Sequence, residues 1–189
     1  MPKTTRRESR ETAFSLLFEW SFREEESLEE IIETAKLTRD AEVDSFALEL
    51  LSKVIQNREE LDSLIGQYSQ GWKLKRISRT ALAGLRMSFC EMTKLEDIPV
   101  GASINEAVEL VKMFGTNEEA TYINGILGSF ERVRRGLEDA PAKQEEENAQ
   151  EDNQDKQLNT QDIQEEHKPQ TDKKPDDIEL IEDIVIEVE

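Results

Sequence analysis

Across 189 residues the chain carries 24 Lys+Arg against 43 Asp+Glu, a formal net charge of −19. The charge is divided unevenly: residues 1–140 hold 19 basic and 26 acidic side chains, and residues 141–189 hold 5 and 17. One cysteine excludes an internal disulfide, no apolar run approaches the roughly 18 residues of a membrane span, and the charged start lacks the apolar core of a secretion signal, so a soluble cytoplasmic protein is expected.

The first predicted helix covers residues 5–22. Ala13, Phe14, Leu16, Leu17, Phe18 and Trp20 give it a broad apolar face, wide enough to pack on more than one side. Its first turns carry Arg6, Arg7 and Arg10. Cations there oppose the helix macrodipole. They read either as a solvated helix start or as a site that wants an anion, where phosphate would meet basic side chains, free N–H groups and the dipole together.

Ser27-Leu-Glu-Glu30 has the spacing of a capping box. It opens a short helix with Leu28, Ile31, Ile32 and Ala35 on one face. Asp40 or Asp44 can cap the next, with Val43, Phe46, Ala47, Leu50, Leu51 and Val54 facing inward. A fourth helix carries Leu61, Leu64, Ile65 and Tyr68 and ends at Gly71, with Trp72 as an anchor in the connection. A second basic cluster follows: Lys73, Lys75, Arg76 and Arg79. The fifth helix runs through Leu82, Leu85, Phe89 and Met92. Ala81, Ala83 and Gly84 make part of it thin enough for close approach by a neighbour.

The stretch from Ile98 to Gly128 reads as a helical hairpin. Ile104, Ala107, Val108, Val111 and Phe114 fall at helical spacing. Ser103 to Glu106 and Thr116 to Glu119 each have capping-box spacing, and Gly115 stands where a left-handed C-cap is expected. Ile123, Ile126, Leu127, Phe130 and Val133 form the stripe of the last helix. Gly125 and Gly128 interrupt it at about 1 kcal/mol each relative to alanine, a cost that close packing is expected to offset. Seven helices and no strand imply a compact all-α domain of two small bundles sharing the first helix, placed at residues 1–138. Residues 139–189 are an acidic low-complexity tail, expected to be disordered because its composition cannot bury enough surface to offset ordering entropy. Its last residues, DDIELIEDIVIEVE, suit either a strand or a helix.

Nothing in the body nominates an enzyme. The one histidine, His167, lies in the tail, which removes histidine-based acid–base chemistry from the helices. Cys90, between Phe89 and Met92, reads as a small buried hydrophobe. No Cys/His set has metal-ligand spacing, and no phosphate-loop or dinucleotide motif is present, so neither a cofactor nor a small-molecule substrate is expected. Binding is the favoured role. Its candidates are the two basic clusters, Lys112 off the apolar face of its helix, and Tyr122, which is either a rim or core residue or an exposed ring of the kind that stacks on unpaired bases.

RRESRETAFSLLFEW, W-x-L-x-R-I-S-R, and IPVGASINEAVELVKMFGTNEEATYINGILG occur in an order and spacing that resemble the NusB family of bacterial transcription antitermination factors. The resemblance covers residues 4–134. It implies a two-bundle helical fold that binds single-stranded boxA RNA together with the ribosomal protein NusE, in the transcription elongation complex that makes ribosomal RNA. A protein-interaction module that binds NusE without RNA is the alternative. The RNA-contacting positions it implies are Arg6, Arg7 and Arg10 in the arginine-rich start and Tyr122 before Ile-Asn-Gly. Arg76 and Arg79 belong to the basic middle segment, with Lys112 beside them as a further candidate from its helix face. Two departures stand out. After the W-x-L-x-R segment this chain runs Thr80-Ala81-Leu82-Ala83-Gly84 where the family often has an acidic residue, and the tail from Pro141 has no counterpart.

Overall fold

The computed structural model describes residues 4–69, 72–95 and 97–141. These form seven α-helices and no strand: α1 (Arg6–Trp20), α2 (Leu28–Arg39), α3 (Ser45–Gln56), α4 (Arg58–Tyr68), α5 (Arg79–Lys94), α6 (Val100–Phe114) and α7 (Asn117–Arg134), with a single 3-10 turn over Leu74–Arg76 before α5. The all-α class and the helix count are as expected. Gly71 and the acidic run from residue 142, including its apolar end, lie outside the described residues.

Local chemistry sets most of the helix starts. Thr5, Ser27 and Thr116 each accept the N3 amide, while Glu8, Glu30 and Glu119 each reach back to the cap, so three complete capping boxes open α1, α2 and α7. The backbone and hydroxyl groups of Thr5 and Ser27 hold the Glu8 and Glu30 carboxyls below the usual carboxylate range. The two candidate aspartates divide the work. Asp44 caps α3 through the Ala47 amide, whereas Asp40 ends α2 in the left-handed conformation at φ 55°.

Two expected features of the hairpin are corrected. Ser103 does not cap α6, because the helix starts a turn earlier, after Pro99, whose fixed φ of −62° already suits a helix start. Ser103 instead lies buried one turn in, its hydroxyl 3.3 Å from that of Ser88 on α5. Gly115 is not left-handed (φ −132°, ψ −132°). Its lack of a side chain matters for space: a Cβ there would sit 2.9 Å from the Val111 carbonyl oxygen and 2.9 Å from the Thr80 methyl.

The core is organised on α5, which packs against α1, α3, α4, α6 and α7. Helix α1 meets α2, α3, α5 and α6, so α5, as much as the first helix, is central to the packing. Gly84 permits this. A Cβ at that position would fall 2.5 Å from a Val111 methyl on α6, which is the close approach expected of the thin stretch of α5. Phe89, Tyr68 and Phe130 join α5, α4 and α7 through tilted and edge-on ring contacts at 5.0–6.3 Å. Cys90 is fully buried, and burial pushes its thiol up to about 12. It behaves as a hydrophobe with no accessible thiolate.

Candidate nucleic-acid interface

The basic start of α1 is built as a layered cluster. Arg6 and Arg7 are exposed. The Arg6 guanidinium lies 4.0 Å above the ring of Phe46 at the start of α3, and Arg7 pairs loosely with Glu11 at 3.4 Å. Arg10 is instead buried. It is 8% exposed, its Nε donates to Glu91 Oε1 at 2.7 Å, and its guanidinium reaches the same Phe46 ring at 5.5 Å. A cation–π contact draws the two arginines to one ring although their charges repel.

Asp44 completes the cluster from α3. Burial raises its carboxyl, but the Ser9 hydroxyl at 2.6 Å, the Ala47 amide and the Arg6 charge outweigh that, and the net pKa falls below the ordinary aspartate value. The arrangement ties the start of α1 to α3 and α5 through Ser9 and Arg10 while leaving Arg6 and Arg7 facing solvent. Two guanidiniums on a fixed helix N-terminus suit phosphate, which also meets the helix dipole there.

The remaining candidates lie elsewhere. Arg79 donates through Nη1 to the Ser21 carbonyl and lies 4.4 Å over the Phe22 ring. Ser21 follows α1 at its C-terminal end, and α1 and α5 run antiparallel, with Arg10 meeting Glu91 at one end and Ser21 meeting Arg79 at the other. The two basic clusters are therefore separated by most of the length of α1, about 20 Å for 15 residues. Arg76 ends the 3-10 turn and is exposed. Lys112 is exposed on the last turn of α6 with Glu109 at 3.9 Å. The Phe14–Phe114 stack, 5.1 Å between centroids, brings that turn to α1.

Tyr122 is half-buried. Its ring lies 5.7 Å from that of Trp72, tilted by 55°, and its hydroxyl is buried with no hydrogen-bond partner among the described residues. Trp72 is 53% exposed. The expected anchor is thus a half-open ring against Tyr122.

Sequence reasoning missed Glu91 and Phe46 as parts of the arginine cluster. Glu91 left a usable signal: an acid among Phe89, Cys90 and Met92 is buried only at high cost unless a cation answers it. Phe46 looked like an ordinary core residue, and its role as a platform depends on α3 meeting α1, which periodicity does not encode. Among the described residues no helix is long and apolar enough to cross a membrane.

Comparison with known proteins gives a consistent result. The model of the NusB family matches residues 7–132. The transcription antitermination protein NusB of Acetivibrio thermocellus is 38% identical over 143 residues, covering 75% of this chain and 99% of that protein. The structure of T. maritima NusB is 31% identical, covers 75% of this chain and 96% of its own, and superposes with a TM-score of 0.60. A crystal structure of antitermination factors NusB and NusE in complex with dsRNA superposes at 0.61 and 23% identity, covering 68% and 96% of the two chains; at that identity it speaks to the fold alone.

Proposed function

The chain belongs to the NusB family, and from that membership we propose that it is a transcription antitermination factor binding single-stranded boxA-type RNA jointly with ribosomal protein NusE. In this reading it acts in the cytoplasm, within the transcription elongation complex that makes ribosomal RNA. The observation that carries it is the family match over residues 7–132, which begins inside the arginine-rich turn of α1. Residues 1–138 are the RNA-binding helical domain and residues 139–189 an acidic tail.

Arg6 and Arg7 take the phosphates, supported by their exposure and by the helix N-terminus beneath them. Arg10 fixes their platform through Glu91. Arg76, Arg79 and Lys112 supply positive charge along the flank, and the Tyr122 ring stacks on an unpaired base. Single-stranded RNA suits such a surface better than a duplex, whose bases are not available for stacking.

Size-exclusion chromatography of the chain with NusE, boxA RNA, and both tests the reading. A complex containing all three components is expected, formed poorly by a variant with Arg6→Ala and Arg7→Ala. A complex with NusE that excludes RNA would replace this reading with that of a protein-interaction module.

A further inference from the structure

Gly125 is an anomaly in α7. It is the least helix-favouring residue short of proline, yet a Cβ there would meet nothing within 4 Å. The close packing expected to justify it does not exist. What lies over it is a groove of about 540 Å³ between α7, the end of α4 and Trp72, lined by Trp72, Tyr122, Gly125, Ser129, Arg132 and Glu138 among others.

We propose that this groove is a single-nucleotide site on the RNA path, in which a base stacks on Trp72 over Gly125 and Arg132 takes the adjacent phosphate. The proposal rests on the RNA-binding reading above and extends it to residues that reading does not use. Three observations point to this occupant. Trp72 offers a half-exposed aromatic face beside Tyr122, and Gly125 leaves room for a flat ring against the helix backbone. The charge also complements an anion: Arg132 lies on the wall, and the basic segment Lys73-Leu74-Lys75-Arg76 follows Trp72 directly.

Glu138 acts as the internal competitor for that phosphate. After α7 the chain turns back at Gly136, which adopts φ 68°, and the Leu137 amide donates to the Arg132 carbonyl at 2.9 Å. This return brings the Glu138 carboxylate to within 2.6 Å of Arg132 Nε. Farther on, Gln67 donates to the Pro141 carbonyl at 3.1 Å, tying the segment to α4. A carboxylate thus occupies the guanidinium that the incoming phosphate would use, and the bound nucleotide must displace it.

The test uses the full chain with NusE and a fluorescently labelled single-stranded boxA RNA, followed by anisotropy and by acrylamide quenching of tryptophan emission. Quenching reports Trp72, because Trp20 is only 4% exposed. RNA is expected to protect Trp72 from acrylamide. Trp72→Ala should weaken binding about tenfold, in line with the loss of one stacked base, and Trp72→Phe should restore most of it. Gly125→Leu should fill the groove and weaken binding similarly while keeping the helical circular-dichroism signal. Glu138→Gln should tighten binding about threefold at low salt, and the gain should shrink as salt is added. Wild-type binding with no protection of Trp72, and with Trp72→Ala and Gly125→Leu within twofold of wild type, would overturn the groove and leave the RNA-binding reading standing. Protection by NusE without RNA would assign the groove to the protein partner and overturn the proposal. Failure of the wild-type chain to bind RNA at all would overturn both.

Discussion

Arg10 and Glu91 lie 81 positions apart in the chain and meet at 2.7 Å between α1 and α5, both almost wholly out of solvent. The pair turns one member of an arginine-rich segment into a structural strut and leaves its two neighbours, Arg6 and Arg7, for solvent or ligand. Removing one partner strands the other as a buried, uncompensated charge. Glu91→Ala should therefore destabilise the protein by about 3–5 kcal/mol, and a double replacement by apolar residues of similar volume should recover much of the loss. Urea unfolding followed by circular dichroism measures both variants.

Among the described residues Arg7 makes an exposed pair with Glu11, of a kind worth a few tenths of a kcal/mol. Arg7→Ala should leave the urea midpoint nearly unchanged. It should weaken RNA binding across sequences and reduce the salt slope by about 0.7, the share of one phosphate contact on a single strand. A titration at several salt concentrations separates this loss of charge from a loss of fold.

Asp44 carries an acid-side stability term. Its native pKa lies below the ordinary aspartate value, so its contribution is fully present above the unfolded pKa of about 4 and is lost as pH falls through the lower native value. Asp44→Ala removes the α3 cap and should cost about 1 kcal/mol at neutral pH. The gap from wild type should close as the pH is lowered, which urea unfolding at a series of pH values reads directly.

Much of the architecture was legible in the sequence because helix signals are local. Ser27 to Glu30 and Thr116 to Glu119 formed the boxes their spacing indicates, and most of the apolar stripes point inward, although Phe114 at the end of the α6 stripe is 49% exposed. Ser103 misled because the same spacing served a different end: proline had already started α6, and the serine faces α5. The candidate site was less legible. Arg6, Arg7 and Arg10 fall within five positions and are the same residue type, and only the packing of α5 against α1 separates the buried one from the exposed two. The α1 cluster and Arg79 look equally basic in the sequence, and the antiparallel α1–α5 arrangement sets them at opposite ends of a helix.

Tyr122 presents a different balance. Its hydroxyl is buried and unpaired among the described residues, an arrangement that costs about 1–3 kcal/mol. Tyr122→Phe should raise the stability of the free protein by about 1 kcal/mol, read as a higher urea midpoint.

Cys90 should be inert in the native protein. Burial pushes its thiol up to about 12, and only the thiolate reacts. A disulfide reagent at pH 8 should label it at the rate of protein unfolding, and addition of denaturant should make labelling fast.

The most direct test of the account is a titration of boxA-containing and scrambled single-stranded RNA into the chain with and without NusE, repeated at several salt concentrations. The account predicts a clear preference for the boxA sequence when NusE is present and a log–log salt slope near −4, as expected for about six phosphate contacts. Equal affinity for the two RNAs in the presence of NusE, or no binding of either, would contradict it.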